Sequence, residues 1–401
     1  MCNKKILFIM QTDYFKPVRN LYNWNSGDMV YYISGISMFY SDEINSKFYV
    51  KDVVKKELEQ NANWAKENFD IAITMEANIF ASCYKNTLIE ETEFIKSLKI
   101  PIFVLGAGCQ SDINYSLEFL KDISNESKKY LDSILSSGGD ITLRGQFTKF
   151  ALEQLGFNNL FVSGCPSLFL LEKDFKINNN KVSRDNFKPM LSGTFVSDIS
   201  NKIYKDFPNA TFFDQDLYFN ILYGQDSINL REKKYKKPFY SLYKQNRIKG
   251  SMNYYQWIQQ IKNGKYNFSY GSRIHGNIIA LQNNIPAFVK IIDSRTRELS
   301  EFYNIPNSLQ FNFNEKKDDL YELYLNIDYS TFNKTFIDKR NNFLVYLEQK
   351  NIPNCLNNNQ KYINYLSSLS YFNYEQDENI QKYKKNKLSN FMWYRLTKFF
   401  K

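Results

Sequence analysis

The sequence predicts an α/β fold built from two Rossmann-like domains that face a cleft, with a C-terminal helical extension. Three observations predict it. At 401 residues the chain exceeds what one hydrophobic core serves and is comfortable for two. Short apolar runs alternate with stretches of helical periodicity, as in a doubly wound parallel sheet. The alternation is interrupted once by a polar segment, residues 172–189, and then resumes.

In the first half, Ile6–Met10, Ile71–Thr74, Ile102–Leu105, Ile141–Leu143 and Leu160–Val162 read as strands buried on both faces, because their apolar residues run on without polar alternation. Between them, Val53–Asn68, Asn86–Leu98, Ser124–Leu135 and Thr148–Leu155 carry helical spacing. Pro101 opens a strand where proline is tolerated, and Gly156 closes a helix. Residues 1–171 are therefore the expected N-terminal, acceptor-side domain, and 172–189, with Asn178-Asn179-Asn180, the linker. A C-terminal, donor-binding domain is expected over 190–330. Its strands are Met190–Val196, Ala210–Phe213, Asn267–Tyr270, Ala287–Ile292 and Leu309–Phe313. Its helices are Tyr254–Lys262, His275–Gln282 and Arg295–Tyr303. Residues 331–372 read as a helical segment packing back over both halves, and 373–401 as a basic tail.

With 43% hydrophobic and 17% aromatic residues, the chain is not a disordered or low-complexity protein. Five cysteines without a C-x-x-C pair give neither a zinc spacing nor a disulfide framework, which fits a reducing cytoplasm. No run of 18 apolar residues exists, and the apolar start at Ile6–Met10 is too short for a secretion signal. The formal charge of +10 is localised. Residues 231–250 hold eight basic residues and one acid, Glu232, interleaved with Tyr235, Phe239, Tyr240 and Tyr243. They read as a solvated loop or as a wall receiving a phosphorylated or lipid-linked saccharide. Residues 381–401 hold seven basic residues and no acid, with Leu388, Phe391, Met392, Leu396 and Phe399 on one helical stripe. This tail reads as a peripheral helix on an anionic membrane face or as one docked on the protein itself. The rest of the chain is net acidic, and no helix-turn-helix, zinc or RNA-recognition signature is present, so nucleic acid is not an expected partner.

The strongest local signal is Asn267-Phe268-Ser269-Tyr270-Gly271-Ser272-Arg273-Ile274-His275-Gly276, a strand, a glycine turn and a helix start. Backbone N–H groups at a helix N-terminus favour an anion, Arg273 forks onto carboxylate or phosphate, and His275 can donate a proton or a hydrogen bond. His275 is the sole histidine of the chain. Asn25-Ser26-Gly27-Asp28 precedes the first helix, where Asp28 is either a cap or an acceptor-side contact. Arg144 follows a strand at the carboxyl edge where ligands collect, and is either a site residue or a surface ion pair. Gly164-Cys165-Pro166-Ser167 reads as a turn. Gly106-Ala107-Gly108 lacks the third glycine of a dinucleotide fingerprint.

On these segments the sequence resembles the polysaccharide pyruvyl transferase family. The matching elements are Asn25–Asp28, Leu143–Gly156, Gly164–Pro166 and, above all, Ser272–Gly276 with Ala280 and Ile285-Pro286 downstream; Asp293–Leu299 also follows the family pattern. The chain departs from the family at Cys165, where the family often has aspartate, and at Gly145, where it often has an acid. The resemblance implies a GT-B-like pair of domains and phosphoenolpyruvate as donor substrate; no motif in the sequence calls for a metal or a further cofactor. It also implies a sugar hydroxyl pair as acceptor in surface polysaccharide synthesis. On this reading His275, Arg273 and Asp28 are catalytic, and Arg144, Ser272, Gly276, Asn25 and Gly27 bind substrate. The same architecture would serve a nucleotide-sugar glycosyltransferase of capsule or lipooligosaccharide synthesis, which stays open at this stage.

Overall fold

The computed structural model describes residues 4–11, 25–41, 43–171, 174–178, 180–193, 201–215, 241–250 and 254–356. Strands β1 (Ile6–Met10), β2 (Ser46–Val50), β3 (Ile71–Met75), β4 (Ile102–Ala107), β5 (Asp140–Leu143) and β6 (Phe161–Val162) form one sheet. Its order is β2-β1-β3-β4-β5-β6 and every pair is parallel. Strands β7 (Pro189–Leu191), β8 (Thr211–Phe213), β9 (Ile248–Lys249), β10 (Phe268–Gly271) and β11 (Ala287–Val289) form a second parallel sheet, ordered β11-β10-β7-β8-β9. Two parallel sheets with interleaved helices are the α/β class that the sequence predicts.

The helices of the first half are α1 (Ser26–Met38), α2 (Lys51–Gln60), α3 (Trp64–Asn68), α4 (Lys85–Leu98), α5 (Leu120–Ser136) and α6 (Gln146–Glu153). Those that follow are α7 (Asn201–Asp206), α8 (Tyr254–Gly264), α9 (Ile274–Gln282), α10 (Ser294–Tyr303), α11 (Ser308–Phe311), α12 (Leu320–Asn326) and α13 (Ser330–Gln349). Helix α1 is buried almost all round because it lies between the first sheet and α9, and apolar contacts run through both halves as one core. A second core fills the opposite face of the first sheet.

Three expectations are corrected. The stretch Val53–Asn68 is two helices: Asn61 caps α2 with its N–H on the Glu57 carbonyl, and its side chain accepts from Asn63 N at 2.9 Å. Leu309–Phe313 is not a strand, since the Asn307 side chain accepts from Leu309 N and Gln310 N and turns the chain into α11. The edge strand β2 has no counterpart among the expected strands. None of its five residues is fully buried, so it lacks the continuous apolar run of the central strands. In the region read as a linker, the described residues dock on the helices that follow: Ile177 N donates to Asn333 Oδ1 at 2.8 Å and Val182 N to the Tyr324 hydroxyl at 3.0 Å.

Helix α13 crosses to the first half. The buried Arg340 guanidinium donates to the carbonyls of Phe169 and Leu171, and Tyr346 stacks on Phe161 with centroids 4.7 Å apart. From the basic stretch 231–250, Arg247 binds the carbonyls of Ala210 and Phe207, and Lys249 belongs to β9. Residues 216–240 and 357–401, the latter including the amphipathic tail and the end of 331–372, lie outside the described residues.

Candidate active site

Both sheets turn their carboxyl ends toward one cleft, the place where open parallel sheets bind ligands. The cavity there is about 270 Å³. Arg144 follows β5, with its N–H on the Ala107 carbonyl at 2.8 Å. Ala77 and Asn78 follow β3, Gln215 follows β8, and Ser272 and Arg273 follow β10. Gly271 lets β10 pass so close to β7 that a Cβ would lie 2.2 Å from the Ser192 carbonyl oxygen; Arg273 N then donates to that oxygen at 2.8 Å. This crossing fixes where α9 begins.

Two helix N-termini meet at the cleft. Asn25 caps α1, accepting from Gly27 N at 2.9 Å, so the cap is Asn25; Asp28 stands in the first turn and lines the cleft, its Oδ1 accepting from Asn25 Nδ2 at 3.4 Å. His275 lies in the first turn of α9, 6% exposed, with the Tyr31 ring packed on it at 5.3 Å between centroids. Asn25, Asp28, Arg144, Ser272, Arg273 and His275 all line the cavity. Gly27 and Gly276 do not form its wall. Their missing side chains make room for Gln215, whose Oε1 and Nε2 would lie 2.7 and 2.5 Å from a Cβ at the two positions.

Arg144 sets the electrostatics. Its side chain is 2% exposed and makes no hydrogen bond or ion pair among the described residues. A buried guanidinium left so is costly unless a ligand supplies the counter-charge. Arg295, in the first turn of α10, adds a further cation and is steadied by Asp293 at 2.8 Å. Burial raises the Asp28 carboxyl to about 6, with Arg144, Arg273 and Arg295 opposing the shift. A carboxyl in that range can take or give a proton near neutrality. Burial, then Arg144 and Arg295, lower the His275 imidazole to about 3. In the ligand-free cleft His275 is therefore neutral at pH 7 and offers a hydrogen bond.

Sequence reasoning missed Gln215 and did not place Arg295 among the site residues, although Arg295 falls in the segment Asp293–Leu299 that follows the family pattern. A glutamine just beyond the apolar run Ala210–Phe213 carries no motif; its position at a strand end was the only available signal. Cys165, read as part of a turn, reaches the ring of His275, with Sγ 3.5 Å from Nε2. Among the described residues no cluster of His, Cys, Asp and Glu could hold a metal ion, and no helix is long and apolar enough to cross a membrane.

Residues 12–294 match the family model described as polysaccharide pyruvyl transferase. Among solved structures, the chain is similar to the S. aureus MnaA–UDP co-structure at 11% identity and a TM-score of 0.39, covering 87% of this chain and 98% of that one. No curated protein matches.

Proposed function

The chain belongs to the polysaccharide pyruvyl transferase family and is a transferase, and on that premise we propose that it moves the pyruvyl group of phosphoenolpyruvate onto a pair of saccharide hydroxyls. The observation that carries this reading is the buried Arg144 guanidinium, without a hydrogen bond or ion pair among the described residues, in a cleft that also holds Arg273 and Arg295. A carboxylate and a phosphate on adjacent atoms of one small molecule suit a compact wall of three guanidinium groups.

In the proposed reaction one acceptor hydroxyl adds to the central carbon of the enol while the terminal methylene takes a proton and becomes the methyl group. The carbon–oxygen bond to phosphate then breaks, and the second hydroxyl adds to the same carbon. Of the two hydroxyl protons, one ends in the methyl group and the other leaves with phosphate. Asp28 takes the proton of the attacking hydroxyl. Arg144 and Arg273 hold the carboxylate and phosphate, and His275 donates a hydrogen bond to the same anion. Asn25 and Ser272 complete the wall. The acceptor is a saccharide of a surface polysaccharide pathway. Lipid linkage of that acceptor, and contact of residues 381–401 with an anionic membrane at the inner face of the cytoplasmic boundary, belong to the same proposal.

Thermal shift with phosphoenolpyruvate against a nucleoside diphosphate separates this reading from nucleotide-sugar transfer. Stabilisation by phosphoenolpyruvate alone supports it. Stabilisation by the diphosphate alone overturns the donor assignment.

A further inference from the structure

The sole histidine is held from behind by a thiol. Cys165 Sγ lies 3.5 Å from His275 Nε2 and 3.0 Å from Ser167 Oγ, and all three side chains are buried. The 3-10 turn Pro166–Leu170 fixes Ser167, and the Tyr303 hydroxyl donates to the Cys165 carbonyl. Among the described residues, Ser167 Oγ has no hydrogen-bond partner other than this sulfur, and His275 Nδ1 has none.

Counting protons leaves three arrangements. In one, the imidazole Nε2–H donates to sulfur and the thiol donates to Ser167 Oγ, which buries the Ser167 hydroxyl hydrogen without an acceptor and is costly. In a second, the Ser167 hydroxyl and the Nε2–H both donate to sulfur, and the thiol proton, a weak donor, is unpaired. In the third, the Ser167 hydroxyl donates to sulfur, the thiol donates to Nε2, and the imidazole proton stays on Nδ1, the one polar hydrogen left for a ligand. An oxyanion in the cleft selects the third, because only there does the ring offer it a donor.

We propose that Ser167 and Cys165 form a relay that holds His275 as its Nδ1–H tautomer, so that the ring meets a ligand oxyanion as a neutral hydrogen-bond donor. Cys165 is thereby a positioning residue of the site. The inference rests on the anion-binding reading above, since it is the anion facing Nδ1 that selects this tautomer. A neutral ring is what burial and the flanking arginines dictate at pH 7. The Nδ1–H form also places a positive edge, rather than a lone pair, toward the anion.

Because His275 is the chain's only histidine, ¹⁵N-histidine labelling yields a single imidazole spectrum. The full-length protein saturated with inorganic phosphate should show a protonated, pyrrole-type Nδ1 and a pyridine-type Nε2, unchanged between about pH 5 and pH 8. C165A should populate the Nε2–H form and weaken binding of phosphoenolpyruvate and inorganic phosphate by roughly tenfold. C165S, which keeps a donor at that position, should restore both. A pyrrole-type Nε2 in the phosphate-bound wild type overturns the proposal even if no variant folds. So does a C165A protein that keeps the wild-type tautomer and affinity. Wild type that binds phosphate but not phosphoenolpyruvate overturns the donor assignment and leaves the relay standing.

Discussion

The carboxylate of Glu298 on α10 accepts from the backbone N–H and the hydroxyl of Thr148 on α6, at 2.6 and 2.9 Å, across the junction of the two halves. It occupies the space that a side chain at position 145 would need: a Cβ on Gly145 would stand 2.2 Å from Glu298 Cγ. The glycine after Arg144, a departure from the family pattern, therefore makes room for an acid arriving from the other half.

Burial raises Glu298 to about 7 despite its two Thr148 bonds. Its folded pKa lies above its ordinary value of 4.5, so the folded state holds the proton more tightly than the unfolded state. The stability this contributes is complete below about pH 4.5 and is lost as pH rises through about 7. Wild type should lose up to about 3 kcal/mol relative to E298Q between pH 5 and pH 8. Denaturant titration of both proteins at the two pH values checks it; parallel curves would show that Glu298 does not titrate in this window.

Arg144→Met should leave the ligand-free protein as stable as wild type or more stable by about 1–3 kcal/mol, because it removes a buried charge that makes no hydrogen bond or ion pair among the described residues. The same substitution should weaken phosphoenolpyruvate binding by about a hundredfold or more. Melting curves with and without ligand read both effects, and a destabilised ligand-free variant would mean that the guanidinium is structural.

Asp28 as the base for an acceptor hydroxyl requires its ionised form. The value of kcat/KM should then rise with pH through about 6, the pKa of the free enzyme. Asp28→Asn should remove that limb and lower turnover by about 10²–10⁴-fold. A limb that persists in the variant assigns the titration to another group.

Gly276→Ala places a Cβ 2.5 Å from Gln215 Nε2 and 2.9 Å from Ser192 Cβ. Displacing that wedge between the two helix N-termini should cost about 1–3 kcal/mol and lower kcat along with stability. Chemical denaturation and steady-state kinetics on the same preparation test it.

What the sequence showed and what it hid divide along physical lines. The central strands β1, β3 and β4 were legible because burial on both faces demands unbroken apolar runs, while the half-exposed β2 carries none. The Ser272–Gly276 turn was legible because its glycines and charges are adjacent in the chain. Gln215 and the contact from Cys165 to His275 were not: they exist only after two halves more than 50 residues apart in sequence close on each other. The positions of Arg144 and Asp28 could be inferred from strand and helix ends. Their shifted chemistry could not, since it follows from how deeply the joined halves bury them.

The most direct test incubates the full chain with phosphoenolpyruvate and a panel of free and lipid-linked saccharides, following phosphate release and acceptor mass. The account predicts phosphate released in step with an acceptor that gains one pyruvate less one water, and loss of both by roughly a hundredfold or more in His275→Ala and Arg273→Ala. Unconsumed phosphoenolpyruvate beside an acceptor that gains a sugar from a nucleotide sugar would contradict it, as would full turnover by His275→Ala.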